Sequence, residues 1–98
     1  MADKLKQLDN RYSELAMRME NSEIYADPAA YTKCVREMKE LEPIVTAYRE
    51  YAKCEKTMKE AEKLMSDPEF RELAQDEYNE SRERMAELSE HIKILLLP

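Results

Sequence analysis

Histidine, cysteine and carboxylate side chains would have to carry any chemistry in this 98-residue chain, and their spacing excludes most of it. His91 is the single histidine, and Leu88, not a glutamate, stands three positions before it. The paired Glu-x-x-His motifs of a carboxylate-bridged di-metal bundle cannot be assembled from it. Cys34 and Cys54 are isolated from each other and from any further thiol, which rules out a finger-type zinc site. Two such cysteines read as reduced and structural. Carboxylates are plentiful, 22 Asp and Glu in all. General acid–base work, however, needs a carboxylate dried inside a pocket, and a thin helical bundle has little interior to dry one. There are no glycines. Phosphate-cradling loops, dinucleotide fingerprints and nucleophile elbows need glycine where backbone approaches a ligand or takes positive φ, so none has its usual form here. No catalytic residue, metal ligand or cofactor is expected, and an enzyme is not the expected class.

Charge offers a second kind of chemistry. The formal net charge is −6, and nearly all of it lies beyond residue 66, where nine acids face four bases. Between residues 27 and 66 the two signs balance at eight each, and Arg49, Lys53, Lys56 and Lys63 fall on one helical face. One reading of that line is a solvated face that pairs across to the Glu-rich third helix. The sharper reading is contact with a phosphate backbone. A dedicated nucleic-acid binder is not expected, because there is neither a basic domain nor an aromatic platform.

The elements that must position these residues are helices. Leu5, Leu8, Tyr12, Leu15 and Met19 recur at three-four spacing, with Asp3 ahead of them as a cap. Residues 23–26 read as a connector, and Asp27-Pro28 is a strong helix start: the aspartate accepts from first-turn amides and the proline presets φ. Tyr31, Cys34, Met38, Leu41, Val45, Tyr48 and Ala52 continue the pattern, which runs on through Met58, Ala61 and Met65. Pro43 interrupts the backbone ladder at a cost of about 3 kcal/mol, yet the stripe keeps its phase across it. One long helix kinked near residues 39–43 is expected. Asp67-Pro68 repeats the start signal, and Ala74, Tyr78, Ser81, Met85, Leu88, Ile92 and Leu95 form the third stripe. The expected fold is all-α: three antiparallel helices at about 3–21, 28–65 and 68–96, an extended long-helix hairpin with the shorter first helix docked on it.

Tyr12, Tyr31, Tyr48 and Tyr78 lie on the stripes, where a ring in the core with its hydroxyl at the rim is the default. Tyr25 and Tyr51 lie off them, and contact with a partner is one reading of that placement. Met17, Met19, Met38, Met58, Met65 and Met85 read as core filler. Cys34 reads as a small hydrophobe on the stripe, with Cys54 at its edge. The run Ile92-Lys93-Ile94-Leu95-Leu96-Leu97-Pro98 is apolar on all sides, the pattern of a segment that packs on a neighbour. A domain cut from a longer protein is the expectation. The polar start and the lack of any apolar run near twenty residues suit a cytoplasmic chain.

Three segments suggest a family: Asp3-Lys4-Leu5 with Arg11-Tyr12-Ser13-Glu14-Leu15; Leu41-Glu42-Pro43-Ile44-Val45 running into Ala47-Tyr48-Arg49-Glu50-Tyr51; and Lys93-Ile94-Leu95-Leu96-Leu97-Pro98. In this order and spacing they resemble the N-terminal helical domain of the bacterial class-I peptide chain release factors that read UAA and UAG. The resemblance covers essentially the whole chain, and the proline segment and the Ile-Leu-Leu-Leu-Pro ending are its specific parts. It implies translation termination: recognition of the stop codon on the ribosome and hydrolysis of peptidyl-tRNA. The codon-reading Pro-x-Thr and the hydrolytic Gly-Gly-Gln motifs of that family are absent here, so no catalytic or codon-reading residue carries over. What carries over is an accessory role, with the ribosomal stalk base of the large subunit, the recycling GTPase release factor and the glutamine methyltransferase as implied partners. The candidate contact residues toward ribosomal RNA or a partner are Arg49, Lys53, Lys56 and Lys63. The isolated domain is expected to be a monomer or weak dimer. The competing reading is a free-standing coiled-coil adaptor or dimerisation module unrelated to translation. Strict zipper seams prefer Leu, Ile and Val to this mixture of Tyr, Met, Cys and Ala, and Pro43 would disturb one.

Overall fold

The computed structural model describes residues 2–98. The described chain is all-α. Helix α1 spans Ala2–Glu20, a short 3-10 helix spans Ser22–Ala26, α2 spans Pro28–Leu64, and α3 spans Arg71–Leu95. No described residue takes positive φ, so every turn is made without the left-handed geometry that would call for glycine.

Helix α1 begins one residue earlier than its stripe suggests, and this places Asp3 inside the first turn, not at the cap position. It still favours the positive end of the helix dipole there. Asn21 then stops α1 and starts the 3-10 helix at once: its amide donates to the Arg18 carbonyl at 3.1 Å and its side-chain oxygen accepts from the Glu23 amide at 3.0 Å. The segment expected to be a plain connector is therefore one ordered 3-10 turn. Asp27 caps α2 as its type and position predict, its carboxylate accepting from the Ala30 amide at 3.1 Å, with Pro28 as the first helical residue.

Helix α2 is a single element of 37 residues and continues through Pro43. The second Asp-Pro pair behaves differently from the first. Asp67 accepts from the Glu69 amide at 3.0 Å and its own amide donates to the Leu64 carbonyl at 3.0 Å. Those bonds close a turn over residues 65–70, and α3 starts at Arg71, three residues later than the proline suggests. The same local chemistry gives a helix cap in one place and an Asx-type turn in the other.

By internal packing the chain forms two compact units, one ending at Thr46 and the other beginning at Ala47. In the first, α1 lies along the opening half of α2, and the Cys34 thiol donates to the Leu15 carbonyl at 3.5 Å. Its buried residues are Leu5, Leu15, Cys34 and Val45. In the second, the closing half of α2 and α3 form a helical hairpin. Its buried residues are Ala47, Ala61, Ala74, Ser81, Leu88 and Ile92.

The third stripe is correct at every position: each of its seven residues is buried or half-buried. The second is not. Tyr31 is 36% exposed, and Ala52 is exposed while Ala47 is buried in its stead. Helix α2 packs against α1 in the first unit and against α3 in the second, so a single strict three-four stripe does not describe both halves. Met17, grouped with the core methionines, is 71% exposed. It lies two positions from both Leu15 and Met19, and side chains two apart on a helix do not share a face.

Candidate functional site

Lys53, Lys56 and Lys63 are all exposed on α2, as is Arg49. The pairing expected for that line, its bases bridging to the acids of α3, does not form at its lysines: Lys53, Lys56 and Lys63 make no ion pair among the described residues. Lys59, between them, is held by Glu55 on its own helix at 3.8 Å. The bridge that does join α2 to α3 has the opposite polarity. Arg84 of α3 grips Glu50 of α2 with two parallel bonds of 2.9 and 3.1 Å, and its third nitrogen reaches Glu87 at 3.0 Å. Arg84 holds the Glu50 carboxyl below its ordinary range, chiefly through those hydrogen bonds. Lys53, Lys56 and Lys63 therefore present their charge to solvent, and Lys53 also helps to lower the Glu50 carboxyl.

Alongside Lys56 and Lys63 lies a shallow depression of about 340 Å³ bordered by Ala52, Glu55, Lys56, Lys59, Glu60 and Lys63. Its border carries two glutamates and three lysines. Such a surface can meet a phosphate backbone at its cations, yet it has no buried polar group with which to bind a small molecule.

The first unit contains a larger cleft, of about 600 Å³, between α1, the 3-10 helix and the start of α2. Leu15 and Cys34 form its floor. Arg11 and Glu37 cross it in a bidentate pair, Nε donating to Oε2 and Nη2 to Oε1 at 2.9 Å. Arg11 depresses the Glu37 carboxyl, first through these bonds and then through its charge, with Lys33 and Arg18 adding to the effect. Reciprocally, Glu37 raises the Arg11 guanidinium further above its already high value. This pair is tied up in itself and positions α1 on α2. It offers no nucleophile, base or metal cage, and no cluster of three or more His, Cys, Asp or Glu that could hold a metal occurs among the described residues. Sequence reasoning missed it because nothing in one sequence links positions 26 residues apart.

The remaining candidates fall into place simply. Cys34 is buried and Cys54 half-buried, both as free thiols. Tyr12, Tyr48 and Tyr78 are half-buried, and the Arg82 guanidinium lies 5.8 Å from the Tyr78 ring centre. Ile94 and Leu97 are 65% and 69% exposed. No helix among the described residues is long and apolar enough to cross a membrane.

The described residues thus form an all-α domain built of two helical units. Residues 8–98 match the family model of the PCRF domain, and the chain belongs to that family. It is 43% identical to peptide chain release factor 1 of Carboxydothermus hydrogenoformans, over all of this chain and 28% of that protein. Against peptide chain release factor 1 of Nautilia profundicola the identity is 48%, again over the whole chain and 28% of that protein. The Clostridioides difficile protein of the same name is 40% identical over the same shares. The chain thus spans little more than a quarter of the length of the curated relatives it matches. No solved structure gives a significant match.

Proposed function

We propose that this chain is the accessory helical domain of a translation termination factor. In full length, that factor recognises UAA and UAG stop codons on the ribosome and promotes hydrolysis of peptidyl-tRNA, and this domain docks on the ribosome or on partner factors. The observation that carries the reading is the PCRF match across residues 8–98, together with whole-chain similarity to proteins named peptide chain release factor 1. The relatives' greater length supports the further reading that this is one domain of a longer cytoplasmic protein, in which the exposed Ile94 and Leu97 meet the next domain. The domain itself supplies no catalytic group. The stalk base of the large subunit is its docking site, with the recycling GTPase release factor and the glutamine methyltransferase as further partners. The competing reading, a coiled-coil adaptor, draws no support from these relatives.

Arg49, Lys53, Lys56 and Lys63 provide the contact with ribosomal RNA phosphates, supported by their shared face and by the unpaired state of the three lysines. Reversing the charge at Lys53, Lys56 and Lys63 weakens association with 50S subunits and flattens its dependence on salt by roughly two to three in log–log slope, since each phosphate contact contributes a little under one. A salt titration of the unsubstituted and reversed chains measures this. Equal slopes would remove these residues from the interface and leave the termination reading standing. Failure of the unsubstituted chain to bind would remove the docking role itself.

A further inference from the structure

Tyr25 and Tyr31 are distant in the stripe pattern, but the 3-10 turn brings their rings together, with centroids 5.5 Å apart and planes tilted by 40°. The Tyr25 hydroxyl donates to the Met19 carbonyl at 3.0 Å, which pins that ring while leaving it 60% exposed. From Tyr31 a groove of about 360 Å³ runs along α2 past Thr32, Val35, Arg36, Lys39 and Glu40. Arg36 and Lys39 are exposed and form no ion pair among the described residues. Glu37, the acid between them in sequence, is consumed by Arg11, so Glu40 is the one acid left along the groove. The sequence offered no aromatic platform; folding makes one and sets two available cations beside it.

We propose that the Tyr25–Tyr31 pair and its groove form a stacking site for an unpaired RNA base, with the flanking phosphates on Arg36 and Lys39. Exposed ring faces next to unpaired cations are what single-stranded RNA engages, because every base has a face to stack and every nucleotide a charge to place. An acidic peptide would use the cations but would gain little from a pair of tilted aromatic rings. The inference extends the ribosomal reading to a second surface and does not depend on the Arg49 line.

Two probes separate its failure from that of the ribosomal reading. The first is a short oligo(A) RNA, titrated while the chain's own tyrosine emission is followed. Binding quenches the emission, Tyr31→Leu weakens it at least about fivefold while preserving apolar bulk, and Arg36→Gln with Lys39→Gln lowers its salt dependence. All of these positions are exposed, and unchanged circular dichroism confirms that the variants fold. No binding of oligo(A), or equal binding by Tyr31→Leu, overturns the stacking site. The second probe is the 50S subunit, with p-benzoylphenylalanine in place of Tyr31. Cross-links to ribosomal RNA support the inference, and cross-links confined to ribosomal protein overturn it in favour of a peptide groove. Oligo(A) binding without 50S association supports the stacking site and overturns the ribosomal reading alone.

Discussion

The two compact units bury helix against helix with different materials. In the unit ending at Thr46, the buried residues are Leu5, Leu15, Cys34 and Val45, mostly branched side chains. In the unit beginning at Ala47, four of the six are small: Ala47, Ala61, Ala74 and Ser81. Small residues at a helical contact let backbones approach closely, whereas branched ones hold them apart and fill the space with methyl groups. Both units then repeat one device on their surface, an arginine gripping an α2 carboxylate with two parallel bonds: Arg11 on Glu37, and Arg84 on Glu50. Arg84–Glu50 is exposed and Arg11–Glu37 part-buried, and ion pairs so open to solvent contribute little to stability. What distinguishes the units is therefore volume in the core, and that difference should govern how each one breaks.

Removing volume should damage the first unit most. Leu15 is 1% exposed, and Leu15→Ala should lower stability by about 3 kcal/mol through lost burial and the cavity left behind. Urea denaturation measures the loss, and amide exchange should rise first around Leu5, Leu15 and Cys34. Equal acceleration around Leu88 and Ile92 would show that the two units unfold as one and would dissolve the distinction. Adding volume is the converse test. Ala61 is fully buried, and Ala61→Leu should cost about 2 kcal/mol, because a closely approached contact has no room for three more carbons. A neutral outcome would mean that the Ala61 layer is loosely packed, and the contrast between the cores would fail.

Pro43 sharpens the comparison at the point where one unit gives way to the next, three residues before Thr46. It lacks the amide that would bond one turn back, and α2 continues regardless. Pro43→Ala restores that donor and should raise stability by about 1 kcal/mol, the gain being offset in part by a freer unfolded chain. Exchange of the amides near the boundary should slow in parallel. Unchanged stability would indicate that the break is already satisfied by solvent at this exposed position.

The legible part of this fold was the part written in periodicity. Ala74, Tyr78, Ser81, Met85, Leu88, Ile92 and Leu95 obey one repeat over six turns, and all seven are at least half-buried. Asp27-Pro28 announced its helix because a cap is a local event, complete within three residues. Asp67-Pro68 presented the same letters, and the structure used them for a turn, because the choice between cap and turn depends on where Leu64 and Phe70 already lie. The family was legible from three segments, but the sites were not. That Lys53, Lys56 and Lys63 share a face follows from spacing; that none of them pairs with a described acid of α3 is seen only in the folded chain. Tyr25 meeting Tyr31, and Arg11 meeting Glu37, are likewise products of three-dimensional return.

The smallest effect is also the one that compares the two surface bridges directly. Glu37 and Glu50 both titrate below their ordinary value of about 4.5 because an arginine favours the charged form. A carboxyl with a lowered folded-state pKa adds stability that is fully present above its unfolded value and is lost as pH falls through the lowered one. Both bridges should therefore be silent near neutrality and appear as a steeper decline of melting temperature below about pH 4.5. The Glu37 side chain is 30% exposed against 43% for Glu50, so solvent screens it less. Arg84 moreover keeps Glu87 at 3.0 Å when Glu50 is gone, whereas Arg11 keeps Glu14 only at 3.6 Å. Glu37→Gln should flatten the acid decline more than Glu50→Gln, and each should lower the melting temperature slightly at pH 7. If the two variants decline alike, the bridges are interchangeable surface pairs, and the core alone separates the units.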